Sequence, residues 1–191
     1  AARSLLAGGD VAALVVVVPA ARVEDRRGLL AGLPCPVAVV SGGTARQASV
    51  AAGLAALPDE ADVVLVHDAA RPFPPADLVA RVVGAVRAGH PAVVPALPVT
   101  DTVKRVGPGD GTGEPVVATV PRGALRAVQT PQGFARDVLV AAHAAAAARA
   151  HDEGTAASDD AGLLEERGVP VWVVAGDERA AKVTTASDLW L

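Results

Sequence analysis

The chain has 191 residues, with 51% hydrophobic and 20% charged side chains, which is enough to bury a core and too apolar for a disordered segment. A formal charge of −4 gives no basic excess for nucleic acid, and the single cysteine, Cys35, excludes a disulfide framework and a cysteine zinc cluster. The longest apolar run, Val11 to Val18, follows Asp10 without a basic flank, so it reads as neither signal peptide nor membrane span. These features suit a reducing, cytoplasmic setting with no membrane association.

In chain order the pattern alternates strand and helix. Ala1 to Leu6 reads as the end of an amphipathic helix. Ala12 to Val18 reads as a strand buried on both faces, and Glu24 to Leu33 as a short helix closed by Pro34. Val37 to Val40 is a second strand, and Ser41-Gly42-Gly43-Thr44 turns into a helix over about Arg46 to Leu57. Val63 to Val66 makes a third strand ending at His67-Asp68. Leu78, Val79, Val82, Val83 and Val86 recur at helical spacing, and Ala92 to Ala96 makes a fourth strand.

The rhythm then breaks. Val99 to Val106, a Gly/Pro-rich turn from Gly107 to Pro115, and Val116 to Val120 predict a long β-hairpin, an arm over about 99–120. Helices over about Ala135 to Ala150 and Asp160 to Arg167 follow, then a strand Val169 to Val174. Thr185-Ala186-Ser187-Asp188 predicts a capping box opening a last helix, with the chain stopping soon after, at Trp190-Leu191. No linker or repeat divides the chain, so we expect one α/β domain over 1–191, its sheet mainly parallel with helices on both faces.

Ligands of such sheets lie beyond the carboxyl ends of the strands, which singles out Ser41 to Ser49, His67 to Arg71, and Thr100 to Lys104. In His67-Asp68-Ala69-Ala70-Arg71-Pro72, an acid at a strand end and an arginine three residues on can hold a divalent cation beside an anionic group. The same spacing equally describes a surface pair capping a turn, worth ~0–1 kcal/mol. His67 reads as a packed, hydrogen-bonded neighbour rather than a catalyst.

Gly42-Gly43-x-x-Arg46-x-x-Ser49 can bring backbone close to an anion or a base edge, or be a plain strand-to-helix turn. Gly107 to Gly113 lacks the Lys-Ser/Thr pair of a phosphate loop and reads as a hairpin tip. Asp159-Asp160 reads either as metal ligands or as helix-opening acids favoured by the dipole. No Ser/His/Asp arrangement supports nucleophilic hydrolysis.

Gly42-Gly43-x-x-Arg46-x-x-Ser49, His67 to Pro72, Pro98-Val99-x-Asp101-Thr102-Val103-Lys104 and Arg122 occur in one order. Gln129-Thr130-Pro131-Gln132-x-Phe134, Asp159 and Lys182-Val183-Thr184 continue it. In that order, over nearly the whole chain, they resemble the 2-C-methyl-D-erythritol 4-phosphate cytidylyltransferases. The resemblance implies a Rossmann-like nucleotidyltransferase fold and a homodimer joined through the β-arm. It implies CTP and methylerythritol phosphate as substrates and Mg²⁺ at Asp68, with help from Asp159. Gly42, Gly43, Ser49 and Ala69 are then expected at the cytidine. Arg71, Thr102, Arg122, Thr130 and Lys182 are expected at methylerythritol phosphate or the reacting phosphates, with Asp68, Arg71 and Lys182 carrying the catalysis. Thr102 and Arg122 fall on the arm and are expected to serve the neighbouring subunit.

The sequence departs from that family at its start. Val11 to Val18 corresponds to the family's second strand, so the opening strand and glycine-rich triphosphate loop are unmatched, about forty to fifty residues at ~30 or more per βαβ unit. Two other readings stand beside this one: a ribitol 5-phosphate-type cytidylyltransferase, and a non-catalytic dimerising remnant. His67-Asp68-Ala69-Ala70 and Asp101-Thr102-Val103-Lys104 favour methylerythritol phosphate over ribitol phosphate.

Overall fold

The structure is a computed structural model that describes residues 1–151, 157 and 159–190; the chain end at Leu191 lies outside the described residues. Helix α1 (Ala2–Leu6) precedes β1 (Leu14–Val18), which pairs in parallel with β2 (Val37–Ser41) after the intervening helix α2 (Val23–Leu30). Helix α3 (Arg46–Leu54) follows the turn at Gly42-Gly43 and packs on both strands. It ends three residues before the expected Leu57, just ahead of Pro58.

A second sheet holds β3 (Val63–Val66), β4 (Ala92–Pro98), β7 (Arg126–Val128), β8 (Gln132–Ala135) and β9 (Val171–Ala175). Strand β8 lies between β3 and β4 and runs antiparallel to both, which makes β3 and β4 parallel to each other. Strand β9 adds in parallel to β4, and β7 pairs antiparallel with the end of β4.

Both faces of this sheet are covered, and the period-2 alternation of the strands shows how. Val63, Leu65, Val93 and Val174 face α4 (Ala76–Arg87), meeting its buried Val82 and Val86. Val64, Ala92 and Phe134 point the other way, into a cluster with Leu139 and Ala142 of α5 (Arg136–Ala145) and Leu163 and Leu164 of α6 (Asp160–Glu165). The α/β fold with helices on both faces is therefore as expected from the alternation of elements.

Three local expectations are corrected. Strands β7 and β8 have no counterpart in the sequence pattern; Gly133 interrupts the apolar run of β8 because a Cβ there would lie 2.5 Å from Val82 Cγ1. Helix α5 ends at Ala145 rather than Ala150, giving way to a 3₁₀ turn over Ala147–Arg149. The last helix is a 3₁₀ turn, Ala186–Trp190, entered through half of a capping box: the Asp188 carboxylate accepts from the backbone N–H groups of Thr184 and Thr185.

The arm is formed by β5 (Val103–Val106) and β6 (Val116–Val120), antiparallel, with Val103 opposite Val120. Gly107 to Gly113 is its tip, closed by Asp110, whose carboxylate accepts from the Thr112 N–H and hydroxyl. The arm leaves Val116 and Val117 59% and 64% exposed.

Candidate active site

Beyond the ends of β3 and β4, a cavity of about 190 Å³ is lined by Arg46, Asp68, Arg71, Val128, Gln129, Thr130, Gln132, Asp159 and Lys182. Five expected residues, Asp68, Arg71, Thr130, Asp159 and Lys182, meet here from four separate stretches of chain.

The loop after β3 is held from beneath. His67 Nε2 lies 2.9 Å from the Arg71 carbonyl and Nδ1 lies 3.0 Å from the Thr130 hydroxyl. The carbonyl can only accept, so Nε2 carries the proton and the Thr130 hydroxyl donates to Nδ1. Thr130 Oγ1 accepts in turn from the Asp68 N–H at 3.1 Å. Burial pushes the His67 pKa below its ordinary value, keeping the ring neutral and this chain of donors intact. Thr130 is itself buried, so its first role is to set the Asp68 backbone.

Arg71 is fixed by carbonyls rather than by an acid. Its Nη1 donates to the Ala180 carbonyl at 2.7 Å and its Nη2 to the Val128 carbonyl at 3.3 Å, while Nε has no partner among the described residues. The Ala180 carbonyl belongs to the segment that carries Lys182. Gln129 anchors that segment too, donating to the Asp177 carbonyl at 2.8 Å and accepting from the Asp177 N–H at 2.9 Å. Val183 N–H closes the connection on the Ala70 carbonyl at 2.7 Å. Lys182 Nζ lies 3.6 Å from Asp68 Oδ2 at the cavity mouth, with its side chain 48% exposed.

Asp159 opens a helix, as one of the two readings had it, and also faces the cavity. It is the N-cap of α6, accepting from Gly162 N–H at 2.9 Å, and its other oxygen accepts from Gln132 Nε2 at 2.7 Å inside the cavity. Gln132 Oε1 has no partner among the described residues. Asp160 stands in the first turn of α6 as expected of a helix-opening acid, but it is fully buried, paired with Arg46 at 2.7 Å and His143 at 2.8 Å. Burial alone would raise its carboxyl pKa, but the His143 hydrogen bond and the Arg46 charge together hold it below the ordinary value.

Three cations and two carboxylates around one small cavity suit a polyanion with a hard divalent cation. Among the described residues no cluster of three or more metal-ligating side chains occurs. Asp68 and Asp159 alone are still an adequate protein share for Mg²⁺, which takes one or two carboxylates and completes its shell with water and substrate phosphates.

The remaining expected residues do not line this cavity. Gly43 and Ser49 bond to each other, Gly43 N–H donating to Ser49 Oγ at 3.2 Å, and Ser49 also donates back to the Ala45 carbonyl at 3.0 Å. Gly42 is required to be bare, since a Cβ would lie 2.7 Å from Ser49 Oγ. Ala69 sits in the loop above Asp68. Thr102 and Arg122 stand at the base of the arm, exposed, with Arg122 donating to the Thr100 carbonyl. Arg46, Gln129 and Gln132 had been given no role by the sequence. They are cavity residues whose partners lie 114, 48 and 27 positions away, a separation no local pattern reveals.

The family model described as 2-C-methyl-D-erythritol 4-phosphate cytidylyltransferase (IspD) matches residues 1–191. The chain is 50% identical over 198 residues to a protein of that name from Streptomyces avermitilis, covering all of this chain and 76% of the relative. It is 53% identical over 191 residues to one from Nocardia farcinica, covering all of this chain and 77% of that protein. Among solved structures, the 2-C-methyl-D-erythritol 4-phosphate cytidylyltransferase of Thermus thermophilus matches with a TM-score of 0.75 and 40% identity, over 97% of this chain and 83% of its own. The 4-diphosphocytidyl-2C-methyl-D-erythritol synthase of Anaerococcus prevotii superposes with a TM-score of 0.85 at 27% identity, over 99% and 83%.

Proposed function

The chain belongs to the 2-C-methyl-D-erythritol 4-phosphate cytidylyltransferase family, and from that premise we propose how its cavity performs the reaction. The activity is transfer of the cytidylyl group of CTP to 2-C-methyl-D-erythritol 4-phosphate with release of pyrophosphate, a step of isoprenoid precursor synthesis. The ribitol 5-phosphate and remnant readings are not favoured by these matches.

The observation that carries the mechanism is the convergence of Asp68, Arg71, Asp159 and Lys182 on one cavity. A substrate phosphate oxygen attacks the α-phosphorus of CTP in line; the bond to the bridging oxygen breaks and pyrophosphate leaves. The nucleophile is already an anion, so the site needs no general base, and the neutral His67 is free to serve as a strut. The protein's task is to bring two polyanions together. Arg71 and Lys182, both lining the cavity beside Asp68, offer positive charge to the phosphates. We assign Mg²⁺ to Asp68 and Asp159, where, when bound, it would supply charge neutralisation and alignment at the phosphates.

In this reading Gly42, Gly43, Ser49 and Ala69 face the cytidine, and Thr130 holds the loop on which the phosphates rest. Thr102 and Arg122 act on the cavity of a second subunit, because they sit outside the cavity of their own chain. The exposed valines of β5 and β6 support a homodimer joined through the arm. No helix among the described residues is long and apolar enough to cross a membrane, and the free Cys35 supports a cytoplasmic location.

The test is pyrophosphate release from CTP and Mg²⁺ with methylerythritol phosphate and ribitol 5-phosphate compared side by side. Release with methylerythritol phosphate alone is expected. Equal or greater release with ribitol 5-phosphate overturns the assignment.

A further inference from the structure

Asp160 is a costly residue to keep where it is. Its side chain is fully buried, and both oxygens are taken, Oδ1 by His143 Nε2 at 2.8 Å and Oδ2 by Arg46 Nη2 at 2.7 Å. The pair is a poor source of stability, because the loss of hydration of two buried ions roughly cancels their attraction and an apolar trio of the same shape often serves as well. What the cluster does supply is a joint between three helices that have no other charged contact with one another among the described residues: Arg46 opens α3, His143 lies in the last turn of α5, and Asp160 begins α6.

The joint reaches the cavity at two points. Arg46 has its guanidinium on Asp160, yet its side chain is 35% exposed and forms part of the cavity wall. Asp159, the adjoining residue, presents its carboxylate to the same cavity while capping α6. Arg46 also begins the helix that follows Gly42-Gly43. A shift of Asp160 therefore moves a cation, an acid and the glycine turn relative to one another.

We propose that Asp160 is a positioning residue for the transfer: its buried carboxylate holds Arg46 on the cavity wall and Asp159 facing it, so that α3 and α6 meet a bound nucleotide in fixed register. His143 is the third support, committing its Nε2–H to Asp160. The inference rests on the cytidylyl-transfer reading of this cavity.

The experiment compares the parent protein with Asp160→Asn, Arg46→Met, Arg46→Lys and the double variant Arg46→Met/Asp160→Asn. CTP affinity in the presence of Mg²⁺ is read by calorimetry, and Tm is read in parallel. Asp160→Asn and Arg46→Met each strip one member of the pair of its charged partner, and Tm falls. The double variant removes both charges and recovers most of the parent Tm, but its CTP affinity stays about tenfold or more below the parent, the usual size of a lost supporting contact around a metal site. Arg46→Lys regains part of the affinity lost in Arg46→Met. A double variant that recovers Tm and also binds CTP within about twofold of the parent overturns the proposal, leaving a structural ion pair. Pyrophosphate release by the parent is scored separately: its absence overturns the activity assigned above, while the affinity comparison still decides the role of Asp160.

Discussion

Replacing Gln129 by leucine removes the clamp on the Lys182 segment without changing the volume of the buried side chain much. Gln129 is 5% exposed and makes two good hydrogen bonds to the Asp177 peptide, at 2.8 and 2.9 Å. At about 1 kcal/mol net for each bond, the loss is about 2 kcal/mol, and any part of the Asp177 N–H left without water adds to it. For a chain of this size, about 2–4 °C in Tm accompanies each kcal/mol, so a fall of about 4–8 °C is expected by circular dichroism. The larger consequence is for the reaction. Lys182 is carried five residues beyond the clamp, and Ala180 between them accepts from Arg71. A misplacement near 1 Å at a reacting group can cost about 100-fold, so kcat/KM is expected to fall about 10–100-fold with the secondary structure retained. A variant that loses Tm as expected but keeps kcat/KM within about twofold refutes the claim that Gln129 positions Lys182. An unchanged Tm refutes the hydrogen-bond accounting itself.

Three further outcomes follow from the same geometry. Asp68→Asn removes one carboxylate that is paired with the half-exposed Lys182; stability should change by ~0–1 kcal/mol, while the Mg²⁺ concentration for half-maximal turnover rises about tenfold or more, and an unchanged Mg²⁺ titration rejects the metal role. Gly133→Ala places a Cβ 2.5 Å from Val82 Cγ1 and 3.1 Å from Val86 Cγ2. An overpacking loss of about 1–3 kcal/mol in urea unfolding is expected, and adding Val82→Ala should cost less than the two single losses summed; simple additivity would reject the contact. His67 has a folded pKa below that of the unfolded chain, so its contribution is complete above about pH 6.5 and is lost as pH falls through the lower folded value. Between pH 7 and 5 the unfolding free energy of the parent should drop more steeply than that of His67→Asn, and equal slopes would reject the buried neutral ring.

Where an element buries a regular face, the sequence was easy to read. The valines of β3 and β4 and the 78, 79, 82, 83, 86 spacing of α4 carry their periods openly, and the structure places them within a residue or two. Strand β8 hid because its inward position facing α4 is a glycine, chosen by the size of Val82 on another element rather than by any strand preference. The site divides in the same way. Asp68 and Arg71 lie just beyond a strand, and position in an α/β sheet was enough to single them out, whereas Lys182, seven residues past β9, was marked only by the family resemblance. Asp160 looked like any acid at the start of a helix; its burial depends on an arginine 114 residues away and a histidine 17 away. The roles of Gln129 and Thr130 are likewise set by backbone groups of distant segments. Their motif could be quoted from the sequence, but not the direction in which each hydrogen bond runs.

The placement of β8 also governs how the molecule can be made. All the sheet partners of β4 come later in the chain than β4 itself, and β3 likewise waits for β8. On the ribosome, at roughly 5–20 residues per second, the segments 63–66 and 92–98 emerge as apolar strands with nothing yet to pair with. Only when residues 132–135 slide between them, and 171–175 close beside the second, does the centre of the sheet come into being. Strands β3 and β4 are therefore held without sheet partners until β8 and β9 have been made, and their exposure to mispairing lasts that long.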